Sequence, residues 1–311
     1  PALAANGRPS GAGAPALVGR ARGHLVLEGV WFAYQEPHWV LQDICLEARP
    51  REMVAVVGPT GAGKSSLVNL LLRLYDPQRG RVLLDGLDLR ELPTGWLRRQ
   101  VACVLQEPFL FEGTVRSNVA VGLVEGAGDG RDGARDGAGV AVQAAVEAAA
   151  RRAGVHEALQ SLPHGYDTPV FARGTGLSVG QRQLIALARA AACDAPVLVL
   201  DEATASVDSV TEQAIQESLA RLRGSRTVVV VAHRLATVKE ADRIVVLHRG
   251  QVHEAGTHRE LVQARGLYWR LWKMQGLAMA AHGDGPPENG YGSGSGGHPE
   301  DGRAGTEAVA G

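Results

Sequence analysis

The residues with the clearest chemistry form a stretch that follows a short apolar run at residues 53–57. The stretch has the spacing G-x-x-x-x-G-K-S and consists of Gly58, Pro59, Thr60, Gly61, Ala62, Gly63, Lys64 and Ser65. Glycines at these places allow a tight turn whose N–H groups point inward, and a helix that starts there adds the positive end of its dipole. A glycine-rich turn beside a lysine is the simpler alternative, but the strand-like run before it favours a phosphate-binding loop.

The polar side chains of this loop have distinct tasks in a phosphate site. The amine of Lys64 would reach the terminal phosphates, and the hydroxyl of Ser65 is placed to ligate Mg²⁺. Ser66 continues the start of the helix and is assigned to nucleotide binding together with the loop. The loop therefore predicts a bound nucleotide and leaves the use of that nucleotide open.

Polar residues at the ends of three further apolar runs could complete such a site. The runs end at residues 105, 200 and 231, and the polar residues beyond them are Gln106, Asp201, Glu202 and His233. Ligands of open α/β sheets bind at the carboxyl ends of strands, so these side chains are expected at one edge. Asp201 could hold Mg²⁺ through water, and Glu202 could polarise an attacking water. Considered alone, Gln106 is equally well explained as a solvated loop residue, and His233 as a structural histidine.

A second helix start also carries anion-binding groups. Residues 177–181 have the sequence LSVGQ and precede a helix predicted for residues 181–192. Ser178, Gly180 and Gln181 bring a hydroxyl and backbone amides to the positive end of that helix. They bring no lysine, so this end cannot replace the first loop. Either one chain folds both ends around a single nucleotide, or a second chain supplies one of them.

These groups need a scaffold, and the sequence pattern predicts one. Residues 24–47 alternate in polarity around a turn at 35–38, which indicates short antiparallel strands, and residues 81–88 form a hairpin. Tyr34 ends the first strand, where it could stack on a purine, although an ordinary strand aromatic is the simpler interpretation. Helices are predicted at residues 66–74, 140–152, 155–162, 181–192, 209–222 and 258–274. Two more strands are predicted at residues 243–247 and 251–254.

The composition indicates a globular chain without a broad basic surface. The chain has 311 residues, of which 45% are hydrophobic, and a formal net charge of −1. It therefore gives no support for binding nucleic acid by counterion release. Cys45, Cys103 and Cys193 are far apart and fit buried free thiols better than disulfides or a zinc site. No run of about 18 apolar residues is present to predict a membrane span.

Three segments have compositions that cannot bury enough apolar surface to fold. Residues 1–22, rich in Ala, Gly and Pro, are interpreted as a flexible linker. Residues 122–139 contain near-repeats of Gly, Asp, Arg and Ala and are interpreted as a disordered insertion. Residues 275–311 are interpreted as a disordered tail.

Taken together, these motifs resemble the nucleotide-binding domain of an ATP-binding cassette (ABC) transporter. The resemblance covers residues 24–274, and its features occur in the order typical of that family. The features are the phosphate loop, Gln106, residues 177–181, the pair Asp201 and Glu202, the turn Ser206-Val207-Asp208, and His233. Residues 106–115 and 232–238 are similar to the corresponding stretches of exporters, which identifies the exporter type.

The resemblance implies a fold and a division of the chain. The implied fold class is α/β, with a P-loop NTPase (RecA-like) core, an antiparallel β subdomain and an α-helical subdomain. The ATPase domain would span residues 23–274, with the helical subdomain at about 107–192. Residues 1–22 would then link it to a transmembrane domain fused upstream, and the chain would lie on the cytoplasmic face of a membrane.

The resemblance also assigns roles to residues around ATP and Mg²⁺. Tyr34 would stack on adenine, while Lys64 and Ser65 would hold phosphates and the metal. Gln106 and Asp201 would complete the metal shell. Glu202 would act as the general base, and His233 would contact the γ-phosphate.

Other roles act across a sandwich of two such domains. Ser178, Gly180 and Gln181 would act on the ATP held by the partner's phosphate loop, and Asp208 would link the two sites. The partner would be a second nucleotide-binding domain, either an identical copy or a related chain. Two alternatives stand beside the exporter: a soluble ABC-type ATPase of repair or translation, and the catalytic half of a heterodimer with a degenerate partner.

Two positions depart from the pattern that the resemblance implies. Val179 stands where glycine is most usual, a variant that many exporters tolerate. Ala172 stands where exporters commonly carry a glutamate that helps communicate with the membrane domain. The second change puts that contact in doubt, while ATP hydrolysis is expected to survive.

Overall fold

A computed structural model describes residues 19–126, 136–201, 209–232 and 235–281 of the chain. Within these ranges the strands form two main sheets and one short pair. In chain order the strands are β1 (Leu25–Phe32), β2 (Leu41–Ala48), β3 (Met53–Val57), β4 (Arg79–Leu84), β5 (Leu87–Asp88), β6 (Val101–Val104), β7 (Gly113–Thr114), β8 (Pro169–Val170), β9 (Val197–Asp201), β10 (Thr227–Val231), β11 (Arg243–His248) and β12 (Gln251–Gly256).

The helices pack on both faces of the larger sheet. In chain order they are α1 (Lys64–Leu71), α2 (Thr94–Gln100), α3 (Val115–Gly126), α4 (Asp136–Arg152), α5 (His156–Gln160), α6 (Val179–Ala192), α7 (Ser209–Leu222), α8 (Leu235–Lys239), α9 (His258–Ala264) and α10 (Leu267–Ala281). Among the described helices, none combines the length and the apolar character that a membrane crossing requires.

The larger sheet brings the predicted site residues to one edge. Its strand order is β12-β11-β3-β10-β9-β6. Strands β11, β3, β10, β9 and β6 are parallel, and β12 joins β11 antiparallel. The carboxyl ends of β3, β9 and β6, which precede the loop, Asp201 and Gln106, therefore share an edge.

Alternating side chains of the parallel strands supply two hydrophobic cores. On β3, Val54 and Val56 pack with the smaller antiparallel sheet, whose order is β2-β1-β4-β5, and with α1. Met53 and Ala55 point to the other face and pack with the helices. Strands buried on both faces have continuous apolar sequences, which is why β3, β9 and β10 could be predicted from sequence. The fold is thus the expected α/β arrangement with an antiparallel β subdomain and a helical group.

The helical group is held by close contact between small residues. Ala149 and Ala150 of α4, and Ala153 just after it, are fully buried where α4 packs on α6. Gly122 of α3 lies so close to α6 that a Cβ atom there would be 2.2 Å from the carbonyl oxygen of Arg189. The group falls within the predicted subdomain at residues 107–192.

Three predicted boundaries differ from the structure. Residues 19–22 of the predicted linker pack on the domain, since the N–H of Ala21 donates to Gln100 Oε1 (2.8 Å). Residues 122–126 and 136–139 of the predicted insertion belong to α3 and α4, which pack on α6 and on each other, so these helices run further than the composition predicts. Residues 127–135 lie outside the described ranges. The predicted tail starts too early, because α10 continues to Ala281.

Two smaller expectations also change. The helix predicted for residues 258–274 is two helices, α9 and α10, which separate at Arg265 (φ 52°). Cys45 is exposed rather than buried, because alternation along β2 directs it to the solvent face of the sheet. Cys103 and Cys193 are half-buried free thiols.

Candidate functional site

The phosphate loop leaves β3 through a position that only glycine can occupy. Gly58 has a φ of 154°, and a Cβ atom there would lie 2.2 Å from the carbonyl oxygen of Leu247 on β11. The loop then closes on itself, since the N–H of Ala62 donates to the oxygen of Pro59 (3.2 Å). The N–H of Gly250 donates to the oxygen of Ala62 (3.2 Å), which fixes the loop against the β11–β12 turn.

The loop ends at a helix start that is open to a ligand. Gly63 takes a left-handed conformation (φ 102°), and a Cβ atom there would be 2.6 Å from Leu41 Cδ2. Since Gly63 has no side chain, it does not cap the first N–H groups of α1. Ser65 is exposed at this end, so its hydroxyl can reach a metal ion. Helix N–H groups without a cap bind anions readily.

Lys64 is buried and directed into the loop. Its amine donates to the oxygens of Gly58 (2.8 Å) and Pro59 (3.1 Å). Burial lowers the pKa of this amine below its ordinary value, and the carboxylate of Asp201 opposes part of that effect. A buried cation that faces a ring of carbonyls and one carboxylate is poised to exchange these partners for phosphate oxygens.

Asp201 and Gln106 lie on the same edge as the loop. Asp201 is the last residue of β9 and pairs in register with Val231, which itself pairs with Val56 just before the loop. Gln106 follows β6, whose Val104 pairs with Leu200. Asp201 is half-buried and Gln106 is exposed. The edge thus presents a carboxylate and an amide oxygen beside the loop.

Tyr34 lies beside the phosphate loop and is held in place by α1 and two aromatic rings. Its hydroxyl is 3.2 Å from Ser66 Oγ and accepts from Asn69 Nδ2 (3.0 Å). Its ring makes edge contacts with Phe32 and Tyr75, with centroids 4.8 and 5.2 Å away. The ring is 52% exposed, which leaves surface for a flat ligand.

Residues 177–181 form the start of α6. Ser178 is the N-cap: its Oγ accepts from the N–H of Gln181 (3.1 Å), and Gln181 Oε1 accepts from the N–H of Ser178 (2.9 Å). This capping box holds the end of the helix in one shape. Ser178 is exposed, Val179 is half-buried and Gly180 is buried. The start of α6 is therefore rigid, and Ser178 at this start is open to solvent.

Three predicted site residues lie outside the described ranges. Glu202 and Asp208 follow β9, and His233 follows β10 by two residues. The ends of β9 and β10 are adjacent and parallel, with Val231 opposite Asp201. The chain therefore leaves both strands at the edge that carries the loop.

The family follows from comparison with known proteins. The family model for ABC transporters matches residues 41–205, which is more than half of the chain. The chain belongs to the ABC transporter family. The ATP-dependent lipid A-core flippase of Alkalilimnicola ehrlichii is 46% identical over 257 residues, which are 82% of this chain and 41% of the flippase.

Further comparisons also match this ABC domain to exporters. Multidrug resistance protein 1 of Entamoeba histolytica is 42% identical over 82% of this chain and 19% of that protein. A solved structure of a bacterial Atm1-family ABC exporter with ATP bound shares 38% identity and a TM-score of 0.73, over 84% of this chain and 43% of that chain. The chain spans less than half the length of these relatives. It is an exporter-type ABC nucleotide-binding domain, and thus an ATPase domain.

The side chains present in this ABC domain fit ATP with Mg²⁺. The backbone of the loop passes through positions 58 and 63, where a Cβ would collide with neighbours, so only glycine fits this tight turn beside the uncapped start of α1. Ser65, Gln106 and Asp201 offer hydroxyl, amide and carboxylate oxygens, the hard ligands that Mg²⁺ prefers.

Tyr34 contacts two residues that the sequence analysis did not predict as its neighbours. Asn69 holds the tyrosine hydroxyl, and Tyr75 packs against its ring. Asn69 lies on α1, four residues beyond Ser65, so helical spacing could have placed it near the loop. The position of Tyr75 depends on how the two sheets pack, for which the sequence carries no local signal.

Proposed function

We propose that this chain is the motor domain of an ABC exporter. ATP bound between two nucleotide-binding domains is hydrolysed, and the resulting opening and closing drives transport through a transmembrane domain. The chain would then lie on the cytoplasmic face of the membrane that holds that domain. The family match supports the ATPase part, and the exporters among its relatives support the direction of transport.

Within one domain, the described residues would bind and orient the nucleotide. Tyr34 would provide the adenine platform, and the loop amides with Lys64 would hold the β- and γ-phosphates. Ser65, Gln106 and Asp201 would hold Mg²⁺. Bound Mg²⁺ supplies positive charge that neutralises the phosphate oxygens. Because the loop is already closed by its own hydrogen bonds, little rearrangement is needed to bind the phosphates.

Hydrolysis requires a base and a group at the γ-phosphate. We assign Glu202 as the general base that takes a proton from the attacking water, and His233 as the contact to the γ-phosphate oxygens. Their support is their position in sequence directly after β9 and β10, whose ends adjoin the loop. Asp208 is assigned to the link between the two sites.

The second half of each site would come from another domain. Ser178 and Gly180, with Gln181 as their brace, would contact the γ-phosphate of the ATP on the partner's loop. The rigid capping box and the exposed Ser178 support this role, because the box holds the serine at the start of α6 in one shape at the surface. The partner is a second copy of this chain or a related domain.

The observation that carries the transport part is an exposed aromatic face after Gln106. Phe109 and Phe111 are 57% and 50% exposed and pack edge to face, 5.2 Å between centroids. Phe171, 58% exposed, follows β8, which pairs with β7 of the same stretch. Exposed aromatic clusters mark protein contacts. We propose that this face docks the membrane domain, and that Ala172 leaves the contact apolar rather than ionic.

The proposal is tested by joining the domain to its membrane domain in lipid vesicles. Addition of a transported substrate should stimulate ATP turnover, and the double variant Phe109→Ser, Phe111→Ser should lose that stimulation. The unfolding free energy of the isolated variant should fall by no more than about 1.5 kcal/mol, since both rings are exposed and the main loss is their edge-to-face contact. Leu74→Ser is the matched control, because Leu74 is 49% exposed beyond α1, away from this stretch of the chain. Turnover that no substrate or membrane domain stimulates would refute the motor role.

A further inference from the structure

One buried hydroxyl connects the two sheets at the edge opposite the nucleotide site. Thr227, the first residue of β10, has no exposed surface. Its Oγ1 donates to the oxygen of Gly23 (2.7 Å) and accepts from the N–H of Arg51 (3.0 Å). The oxygen of Arg49 lies at 3.4 Å, a weaker second acceptor for the same proton. We call Gly23, Arg49, Arg51 and Thr227 the sheet joint.

The joint lies where the chain passes between the sheets. Gly23 precedes β1, and Arg49 and Arg51 connect β2 of the antiparallel sheet with β3 of the larger sheet. Thr227 starts β10, the neighbour of β3. The hydroxyl of Thr227 therefore contacts the segment that enters the antiparallel sheet before β1 and the segment that leaves it after β2.

Gly23 is required for the joint to close. Its φ is 91°, and a Cβ atom there would lie 2.8 Å from Thr227 Oγ1 and 3.0 Å from the oxygen of Pro196. Any side chain at residue 23 would push the start of β1 away from the hydroxyl. The conformation also disfavours other residues, since positive φ is costly without glycine.

The residues before β1 also bond to the β4–β5 turn, which connects the sheet joint to a further part of the antiparallel sheet. Asp85, in the β4–β5 turn, accepts from the N–H of Arg22 (2.6 Å) and from the N–H of His24 (2.8 Å). Its own N–H donates to the oxygen of His24 (2.8 Å). These bonds fasten the far hairpin of the antiparallel sheet to the segment that Thr227 holds.

The nucleotide would bridge the same two sheets at the opposite edge. Tyr34 follows β1 in the antiparallel sheet, whereas Lys64 follows β3 in the larger sheet. ATP must reach both at once, so its affinity depends on their relative placement. Tyr34 is already bonded to Ser66 and Asn69 of α1 at this edge. We propose that Thr227 is a positioning residue that, through the sheet joint, sets the angle between the two sheets at which these bonds align the adenine platform with the phosphate loop. This inference rests on the proposed role of Tyr34 in binding the base.

If Thr227 positions Tyr34, loss of its hydroxyl should weaken only the contact between Tyr34 and the base of ATP. Inorganic tripolyphosphate can occupy the loop without reaching Tyr34, whereas ATP uses both. The ratio of the two affinities therefore reports the alignment of platform and loop. A variant that merely lowers stability would leave this ratio unchanged as long as the protein stays folded.

The test measures binding of MgATP and of magnesium tripolyphosphate by titration calorimetry. Thr227→Val removes the hydroxyl and keeps the shape, so ATP affinity should fall about three- to tenfold while tripolyphosphate affinity stays constant. Thr227→Ser, the matched control, keeps the hydroxyl and should keep the wild-type ratio. If Thr227→Val does not fold, Thr227→Cys replaces it, since a thiol is a weak donor and acceptor that weakens both bonds of the joint while the N–H of Arg51 keeps a partner.

The outcomes separate this inference from the function on which it rests. Tyr34→Ala should lower the ratio by itself, and an unchanged ratio there overturns the adenine platform. A lowered ratio in Tyr34→Ala with a wild-type ratio in Thr227→Val, or in Thr227→Cys where that variant is used, overturns the positioning role. Equal losses of ATP and tripolyphosphate affinity in Thr227→Val also overturn it, because they indicate general damage to the loop.

Discussion

At the scale of single residues, the phosphate loop depends on one buried amine. Lys64 donates to two loop carbonyls and faces Asp201 across the sheet edge. Burial lowers the pKa of its amine below 10.5. Because the folded chain holds this proton less tightly than the unfolded chain does, the contribution of Lys64 to stability increases as the pH rises from the lowered pKa to 10.5.

Nucleotide affinity should have the opposite pH dependence. Phosphate binding needs the protonated amine, so ATP affinity should fall as the pH rises from the lowered pKa of Lys64 toward the ordinary lysine value. Above the lowered pKa the loss should approach about tenfold per pH unit, which is the linkage of one proton. Titration of ATP binding against pH measures it, and Lys239→Met, an exposed lysine on α8, should keep the wild-type profile. Constant affinity up to the ordinary lysine pKa would show that this amine does not contact phosphate.

The residue scale also shows what sequence could predict. The loop, Lys64 and Asp201 were predictable because a phosphate site needs glycines and a lysine at fixed local spacing, followed by an acid at a strand end. The bond from Asn69 to Tyr34 joins residues 35 positions apart. It depends on how β1 packs against α1, which no local pattern encodes. The sheet joint at Thr227 was not predictable for the same reason.

At the scale of elements, the start of α6 combines two functions in Ser178. Its hydroxyl caps the helix, and in the proposed dimer it contacts the partner's nucleotide. Removing the hydroxyl would disturb both functions at once. An aspartate at position 178 would distinguish the two functions. Aspartate is an equally good N-cap and is favoured by the helix dipole, but it repels phosphate.

Ser178→Asp should therefore fold normally and fail to hydrolyse ATP. Its unfolding free energy should stay within about 0.5 kcal/mol of wild type, whereas Ser178→Ala should lose about 1 kcal/mol with the cap. Urea unfolding measures stability, and phosphate release measures turnover. Wild-type turnover in Ser178→Asp would show that this helix start does not meet a phosphate.

The break between α9 and α10 shows how a side chain of the preceding strand divides a helix. The apolar period from residue 258 to 274 predicts one helix, yet Glu254 of β12 accepts from the N–H of Leu267 (2.5 Å) and of Tyr268 (3.0 Å). Its carboxylate caps α10, and it packs where any side chain on Gly266 would stand. Periodicity does not reveal a cap that comes from another element.

Loss of this cap should destabilise the domain. Glu254→Ala removes the acceptor of two helix N–H groups, and the unfolding free energy should fall by about 1–3 kcal/mol. Glu240→Ala is the control, because that carboxylate is exposed and its pair with Arg223 should contribute little. Equal stabilities of the two variants in urea would mean that water replaces Glu254 without cost.

At the scale of the whole molecule, the two sheets carry the parts of one proposed nucleotide site, and the helical group carries the part that would complete the site of a partner domain. The antiparallel sheet leads to Tyr34, the larger sheet presents the loop and Asp201, and the helical group presents Ser178. The sequence predicted this α/β arrangement because buried strands and phosphate motifs leave strong local patterns. It misjudged the limits of the linker, insertion and tail, since composition does not show that Ala21 bonds to Gln100, or where α3 and α10 end and α4 begins.

The central claim is that each domain carries half of two sites, with the loop of one completed by the helix start of another. Mixing Lys64→Ala chains, which lack a working loop, with Ser178→Asp chains, which lack a working helix start, tests it directly. Each variant alone should be inactive. The mixture should recover up to about a quarter of wild-type ATP turnover, because half of randomly formed dimers are mixed and each of these holds one complete site of two. A mixture as inactive as its components would contradict the shared site.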